Sequence, residues 1–84
     1  MKNWYVYIVR CSDNTLYTGI TVDVEARVQQ HNLCLGAKYT RARIPVKLVY
    51  SEKAKNRSEA TKRELKIKKM SRRSKMELIN EVSN

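Results

Sequence analysis

The order of apolar and polar side chains divides the chain into three strands and three helices. Residues 4–11, Trp-Tyr-Val-Tyr-Ile-Val-Arg-Cys, are aromatic and β-branched almost without a break. Such a run predicts a strand that is apolar on both faces and therefore central. Ser12-Asp13-Asn14 has turn chemistry. Residues 15–20 predict a second strand, folded back on the first as an antiparallel hairpin. Gly19 within it allows a bend or the close approach of another group. A helix then starts near residues 21–23, where Thr21 or Asp23 caps it and Asp23 and Glu25 suit the positive end of its dipole. Val24 and Val28 form its inward stripe. Residues 32–44 read as a basic loop that accommodates one helical turn. Residues 45–50 predict a third strand, with Pro45 at its start, where a missing N–H does least harm.

Asn56-Arg57-Ser58-Glu59 has the form of a helix start, with Glu59 at the capping-box position. The second helix carries Ala60, Glu64, Ile67 and Met70 on one stripe. Ser74-Lys75-Met76-Glu77 repeats the capping pattern and opens a short third helix with Met76, Ile79 and Val82 inward. The order β–β–α–β–α–α predicts an α+β domain, a three-stranded antiparallel sheet flanked by helices.

At 84 residues the chain makes one domain, residues 1–84, able to bury roughly 60% of its unfolded surface. Two glycines and one proline leave most of it in regular structure. Charge changes the picture more. Eighteen Lys and Arg against eight Asp and Glu give +10, which points to a polyanionic partner, nucleic acid before any other. From residue 51 to 75, eleven basic residues face three acids, so the charge gathers on and around the second helix. No segment pairs a basic face with a broad apolar one, so a membrane surface is not expected as partner. No apolar run approaches a membrane span. Cys11 and Cys34 fit no metal-binding spacing and read as free thiols. With no secretory segment in view, the expected location is a reducing cytoplasm.

The candidate chemistry centres on residues 16–31. A strand ending in Tyr17 breaks at Gly19 and runs into a helix that carries Arg27 and His31 four apart, on one face. A phenol, a guanidinium and an imidazole together suit the handling of a phosphate. Tyr7 lies on the neighbouring strand. A tyrosine acts as a base when cations or a metal lower its pKa; otherwise Tyr7 and Tyr17 are ordinary sheet aromatics. His31 alone is equally compatible with a structural role. Glu64 is a carboxylate on the inward stripe of a basic helix, and an unpaired buried charge is costly. A divalent cation accounts for it; so does a partly buried ion pair with Arg27 or a lysine.

Taken in order, these positions resemble the GIY-YIG nuclease domain. Tyr5-Val6-Tyr7 matches the first motif half, with Tyr5 where glycine is usual. Tyr17-Thr18-Gly19 matches the second, with Ile20 following where a basic residue is common. Arg27, His31 and Glu64 fall on the arginine, the histidine or tyrosine one turn later, and the metal-binding glutamate. Gly36-Ala37-Lys38-Tyr39-Thr40-Arg41 with Pro45, and Ser58-Glu59-Ala60 leading to Glu64 and Lys68, are similar to small stand-alone bacterial members. The resemblance implies a DNA endonuclease dependent on Mg²⁺ or Mn²⁺, with repair or recombination as its setting. Tyr7 or Tyr17 would activate a water while the other positions it. Arg27 would bind the scissile phosphate, His31 would hydrogen-bond to the phosphate or to the base tyrosine, and Glu64 would hold one metal ion. Lys38, Arg41, Lys66, Lys68, Lys69 and Arg73 would track the nucleic-acid backbone. The alternative is a non-catalytic nucleic-acid-binding module on the same fold; a third reading is a domain that docks an acidic protein. The nuclease reading requires both phenols, the guanidinium and the inward acid to converge on one open concavity with positive walls.

Overall fold

The computed structural model describes residues 3–83, with side chains to residue 80. Three strands, β1 (Trp4–Arg10), β2 (Leu16–Thr21) and β3 (Lys47–Ala54), form an antiparallel sheet in the order β2-β1-β3. The strand predicted to be apolar on both faces is the central one, and Val6, Tyr7, Ile8 and Val9 are all buried. Four helices follow the strands as expected in order: α1 (Val24–Asn32), α2 (Lys38–Arg41), α3 (Arg57–Lys68) and α4 (Arg72–Ser83). The architecture is α+β.

Alternation along β1 sends its side chains into two separate cores. Val6 and Ile8 point to one face and pack with Tyr50, Ala60, Ile67 and Ile79, beneath α3 and α4. Tyr7 and Val9 point to the other face and pack with Cys11 and Val46, with Tyr17, Val24 and Val28 against them. The sheet is therefore covered by α1 on one face and by α3 and α4 on the other. The predicted stripes of Val24 and Val28, and of Ala60 and Ile67, are the ones that face the sheet. Side-chain caps start both long helices: Asp23 accepts from the Ala26 N–H at 3.1 Å and Asn56 from the Glu59 N–H at 2.9 Å.

The third strand and the last helix differ from the sequence reading, and the basic loop holds the one helical turn it was read as accommodating. The third strand begins two residues later and runs on to Ala54, because Ser51–Ala54 pair with the first half of β1, which would otherwise present an open edge. The basic loop contains α2, a single four-residue turn. The last helix opens at Arg72 rather than near Ser74: Ser71 is its cap, with its Oγ accepting from the Ser74 N–H at 3.1 Å. Val82, read as the last inward position of that helix, lies outside the described side chains.

Polar links tie the layers together. Asn32 closes α1 by mimicking a strand partner of Val46, donating to its carbonyl at 3.1 Å and accepting from its N–H at 2.7 Å. On the opposite face Glu52 of β3 accepts from Tyr50 at 2.6 Å and from Arg63 Nε at 2.9 Å, which joins β3 to α3. That ion pair is half-buried, with neither partner above a third exposed.

Candidate active site

Tyr7 stands opposite Gly19 in the β1–β2 register. A Cβ at Gly19 would meet the Tyr7 hydroxyl oxygen at 2.6 Å and Cζ at 2.8 Å. The missing side chain lets the phenol lie across β2, so its hydroxyl sits over the edge strand of the sheet. Of the two uses foreseen for Gly19, close approach is the one realised, since no glycine here has positive φ. His31, in the last turn of α1, meets that hydroxyl: Tyr7 Oη and His31 Nε2 are 2.8 Å apart. The imidazole is 0% exposed and the phenol 1%.

The far side of the imidazole is held as closely. His31 Nδ1 lies 2.8 Å from Thr40 Oγ1, and Gly36 presses against the ring so tightly that any Cβ there would overlap it. Both glycines of the chain thus serve this one pair, Gly19 beneath the phenol and Gly36 against the imidazole. Tyr17 closes the front. Its half-buried ring meets His31 edge-on at 5.5 Å and stacks on Tyr39 at 5.9 Å, and the Arg43 guanidinium lies 4.0 Å above Tyr39. Arg43 is anchored in turn by Asp13 Oδ2 at 3.1 Å and by the Tyr39 carbonyl at 2.8 Å. No hydrogen bond from the Tyr17 hydroxyl is found among the described residues.

Charge converges on the same point. Burial pushes the Tyr7 phenol above its ordinary pKa of 10.0; the Arg27 guanidinium beside it pulls the other way, while Tyr17 and the Glu64 carboxylate add to the rise. Tyr7 is therefore a neutral phenol: in the protein alone, desolvation outweighs the one neighbouring cation that would favour the base form. Burial, then the Arg27 charge, lowers His31 below 6.5, so the imidazole is neutral as well. Arg27 itself is half-buried and donates to Gln30 Oε1 at 3.0 Å.

Glu64 reaches the same neighbourhood from the other layer, because α3 packs chiefly along β2 and β1. Its carboxylate is 16% exposed, and its ion pair is with Lys68 one turn on, at 3.5 Å. Among the described residues no group of three or more His, Cys, Asp and Glu side chains could by itself hold a metal ion. The donor set suits Mg²⁺ or Mn²⁺ only in the sense of one carboxylate completed by water and phosphate oxygens.

Of the five residues singled out from the sequence, Tyr7, Tyr17, Arg27 and His31 lie against one another, while Glu64 pairs with Lys68 on α3 and acts on Tyr7 through its charge. The basic residues are less uniform. Lys38 and Arg41 are exposed on α2, whose Thr40 touches His31. Lys66 and Lys69 are exposed, but Lys68 is engaged by Glu64 and Arg73 pairs with Glu77 at 3.6 Å. A separate shallow pocket beside the start of α1, lined by Tyr5, Val22, Glu25 and Leu48 among others, holds none of the site residues. The sequence reading missed Thr40, Gly36, Tyr39 and Arg43 as parts of the site. Two signals pointed there: their crowding into a short segment after the His31 helix, and the likeness of Gly36-Ala37-Lys38-Tyr39-Thr40-Arg41 to small bacterial family members.

Comparison with known proteins gives the family. Residues 3–77 match the profile of the GIY-YIG catalytic domain. UPF0213 proteins of Staphylococcus haemolyticus and Staphylococcus aureus are each 54% identical over 81 residues, covering 96% of this chain and 99% of theirs. The solution NMR structure of a UPF0213 protein from Bacillus halodurans is similar with a TM-score of 0.60 at 44% identity, over 93% of this chain and 83% of that one. One from E. faecalis gives 0.65 at 39% identity, over 99% and 88%. With the family profile matched over residues 3–77 and relatives matched along nearly their whole length, the chain belongs to the GIY-YIG family and groups there with the small bacterial UPF0213 proteins.

Proposed function

We propose that this protein is a divalent-metal-dependent endonuclease that hydrolyses phosphodiester bonds of DNA. The observation that carries the proposal is the Tyr7–His31 hydrogen bond, set among Tyr17, Arg27 and Glu64. A phenol bonded to a neutral imidazole is a proton relay, and an arginine and a carboxylate beside it supply what a phosphate diester needs.

Burial divides the labour between the tyrosines. Tyr7, nearly inaccessible, is the relay at the floor; Tyr17, half-exposed with a free hydroxyl, positions the attacking water and the phosphate at the mouth. As the water gives a proton to the Tyr7 oxygen, the Tyr7 hydrogen passes to His31 Nε2. The resulting hydroxide bonds to phosphorus, the bond to the leaving oxygen breaks, that oxygen takes a proton from solvent, and the proton held by His31 returns to solvent through Tyr7, which restores the neutral pair. Arg27 neutralises the charge that builds on the non-bridging oxygens. Glu64 would hold the metal ion, releasing Lys68 to the phosphate backbone. A bound Mg²⁺ or Mn²⁺ supplies Lewis-acid polarisation of the phosphate and stabilises the departing oxygen. Lys38, Arg41, Lys66, Lys69 and Arg73 add affinity that is blind to sequence and weakens with salt.

The Glu64–Lys68 ion pair favours a second reading, a binding module without catalysis, because it satisfies the carboxylate with no metal. One experiment separates the two. Plasmid, branched and single-stranded DNA are incubated with Mg²⁺ or Mn²⁺ and the wild type, Arg27→Ala or Glu64→Ala. Cleavage by the wild type alone supports the nuclease. Salt-sensitive binding with equal inactivity of all three proteins supports the module.

A further inference from the structure

The hydroxyl hydrogens around His31 can be assigned from their distances. Thr40 Oγ1 has one hydrogen and two neighbours, the Ala37 carbonyl oxygen at 2.9 Å and His31 Nδ1 at 2.8 Å. A carbonyl oxygen can only accept, so the hydrogen belongs on the Ala37 side. Were it turned to Nδ1 instead, two oxygens 2.9 Å apart would face each other with no hydrogen between them. Thr40 therefore receives a hydrogen from Nδ1. The neutral imidazole carries one hydrogen, so Nε2 is bare, and the Tyr7 hydroxyl 2.8 Å away donates to it. The reverse tautomer fails at the other end as well. It would set Nε2–H against the Tyr7 oxygen and leave the buried Tyr7 hydrogen with no acceptor among the described residues.

We infer that Thr40 is a positioning residue: by accepting from Nδ1–H it holds His31 in the tautomer whose bare Nε2 takes the Tyr7 hydrogen. The arrangement is built in, since Thr40 and His31 are both fully buried and Gly36 fixes the ring plane between them. A His ring nitrogen is commonly set by the bond its other nitrogen makes. Here that bond comes from α2, a single turn packed against α1. The inference deepens the proton relay proposed above and rests on it for catalytic meaning, while its physical content is independent of cleavage.

His31 is the only histidine, so its two ring nitrogens can be read without assignment in ¹⁵N-labelled protein. In the wild type at neutral pH, long-range ¹H–¹⁵N correlation is expected to show a protonated Nδ1 and an unprotonated Nε2. A protonated Nε2 overturns the inference, whatever any variant does. Thr40→Val, matched in shape but lacking the hydroxyl, is expected to raise the Nε2–H form, and Thr40→Ser to keep the wild-type pattern. A folded Thr40→Val with the wild-type pattern also overturns it. If Thr40→Val does not fold, the wild-type and Thr40→Ser spectra decide. Where the wild type cleaves DNA, Thr40→Val should lose roughly 10- to 100-fold in rate, the scale seen for groups that orient metal-ligating histidines, and Thr40→Ser should recover it. The expected tautomers in a wild type that cleaves nothing would sink the nuclease proposal and leave the role of Thr40 standing.

Discussion

Gly36→Ala sets two known effects of opposite sign against each other at one position. Replacing glycine where the backbone has no positive φ ordinarily stabilises by about 0.4–1 kcal/mol, because the unfolded chain loses freedom, and Gly36 has no positive φ. Its surroundings reverse that gain. The new Cβ would stand 2.8 Å from His31 Cγ and 2.9 Å from His31 Cα, with Nδ1 nearer still. Ordinary carbon–carbon contact is about 3.5–4.0 Å. Relief by swinging the ring is blocked, because hydrogen bonds to Tyr7 and Thr40 hold it at both nitrogens. The remaining choice is to shift the backbone of α1 or to break one of those bonds. Overpacking of this kind costs about 1–3 kcal/mol, and a lost hydrogen bond adds about 1 kcal/mol. The net expectation is a destabilisation of about 1–3 kcal/mol, and with roughly 4–8 °C per kcal/mol in a domain this small, a fall in Tm of at least about 5 °C. Urea titration and thermal melts followed by the fluorescence of Trp4, the only tryptophan, give the number. A Gly36→Ala protein as stable as the wild type, or more so, would show that the imidazole is not clamped as described.

Three further outcomes follow from the same contacts. Tyr7→Phe leaves His31 Nε2 buried without its donor and should cost about 1–3 kcal/mol in urea unfolding, with loss of any cleavage the wild type shows; full stability and activity would remove Tyr7 from the relay. Asn32→Ala breaks the two-bond bracket to Val46 and should destabilise by about 1–3 kcal/mol without changing which His31 nitrogen carries the hydrogen; a changed tautomer would mean that this adjacent link, and not Thr40 alone, holds the imidazole. Stability should fall on acidification: the folded pKa of His31 is lowered, so its contribution is fully present above about 6.5 and is lost as the pH drops below that value towards the folded one. The slope approaches at most about 1.4 kcal/mol per pH unit, read as a falling urea midpoint, and a flat profile from pH 7 to 5 would contradict a neutral buried imidazole.

Strand and helix identities were legible because they rest on local chemistry. An unbroken apolar run marks a central strand, Asp23 and Asn56 announce helix starts, and Val24 with Val28 and Ala60 with Ile67 mark the faces that must leave water. The end of β3 was not legible. Ser51, Glu52 and Lys53 carry no strand signal of their own and pair only because β1 offers them a free edge. The start of α4 was misplaced because Ser71 and Ser74 are both capable caps, and the surrounding packing selects the first.

The site divides the same way. Residue types, their order and their resemblance to GIY-YIG motifs could be read along the chain, because chemistry and helical spacing are written locally. That Tyr7, 24 positions away, bonds to His31, out of the two tyrosines and the phosphate that the resemblance offered, could not be read. Neither could the ordinary phenol pKa being raised rather than lowered, nor the part Thr40 plays. Those depend on how deep a group is buried and on which neighbours a folded sheet edge brings within about 3 Å. Desolvation and hydrogen bonding act across space, and distance in space is set only when every element has packed.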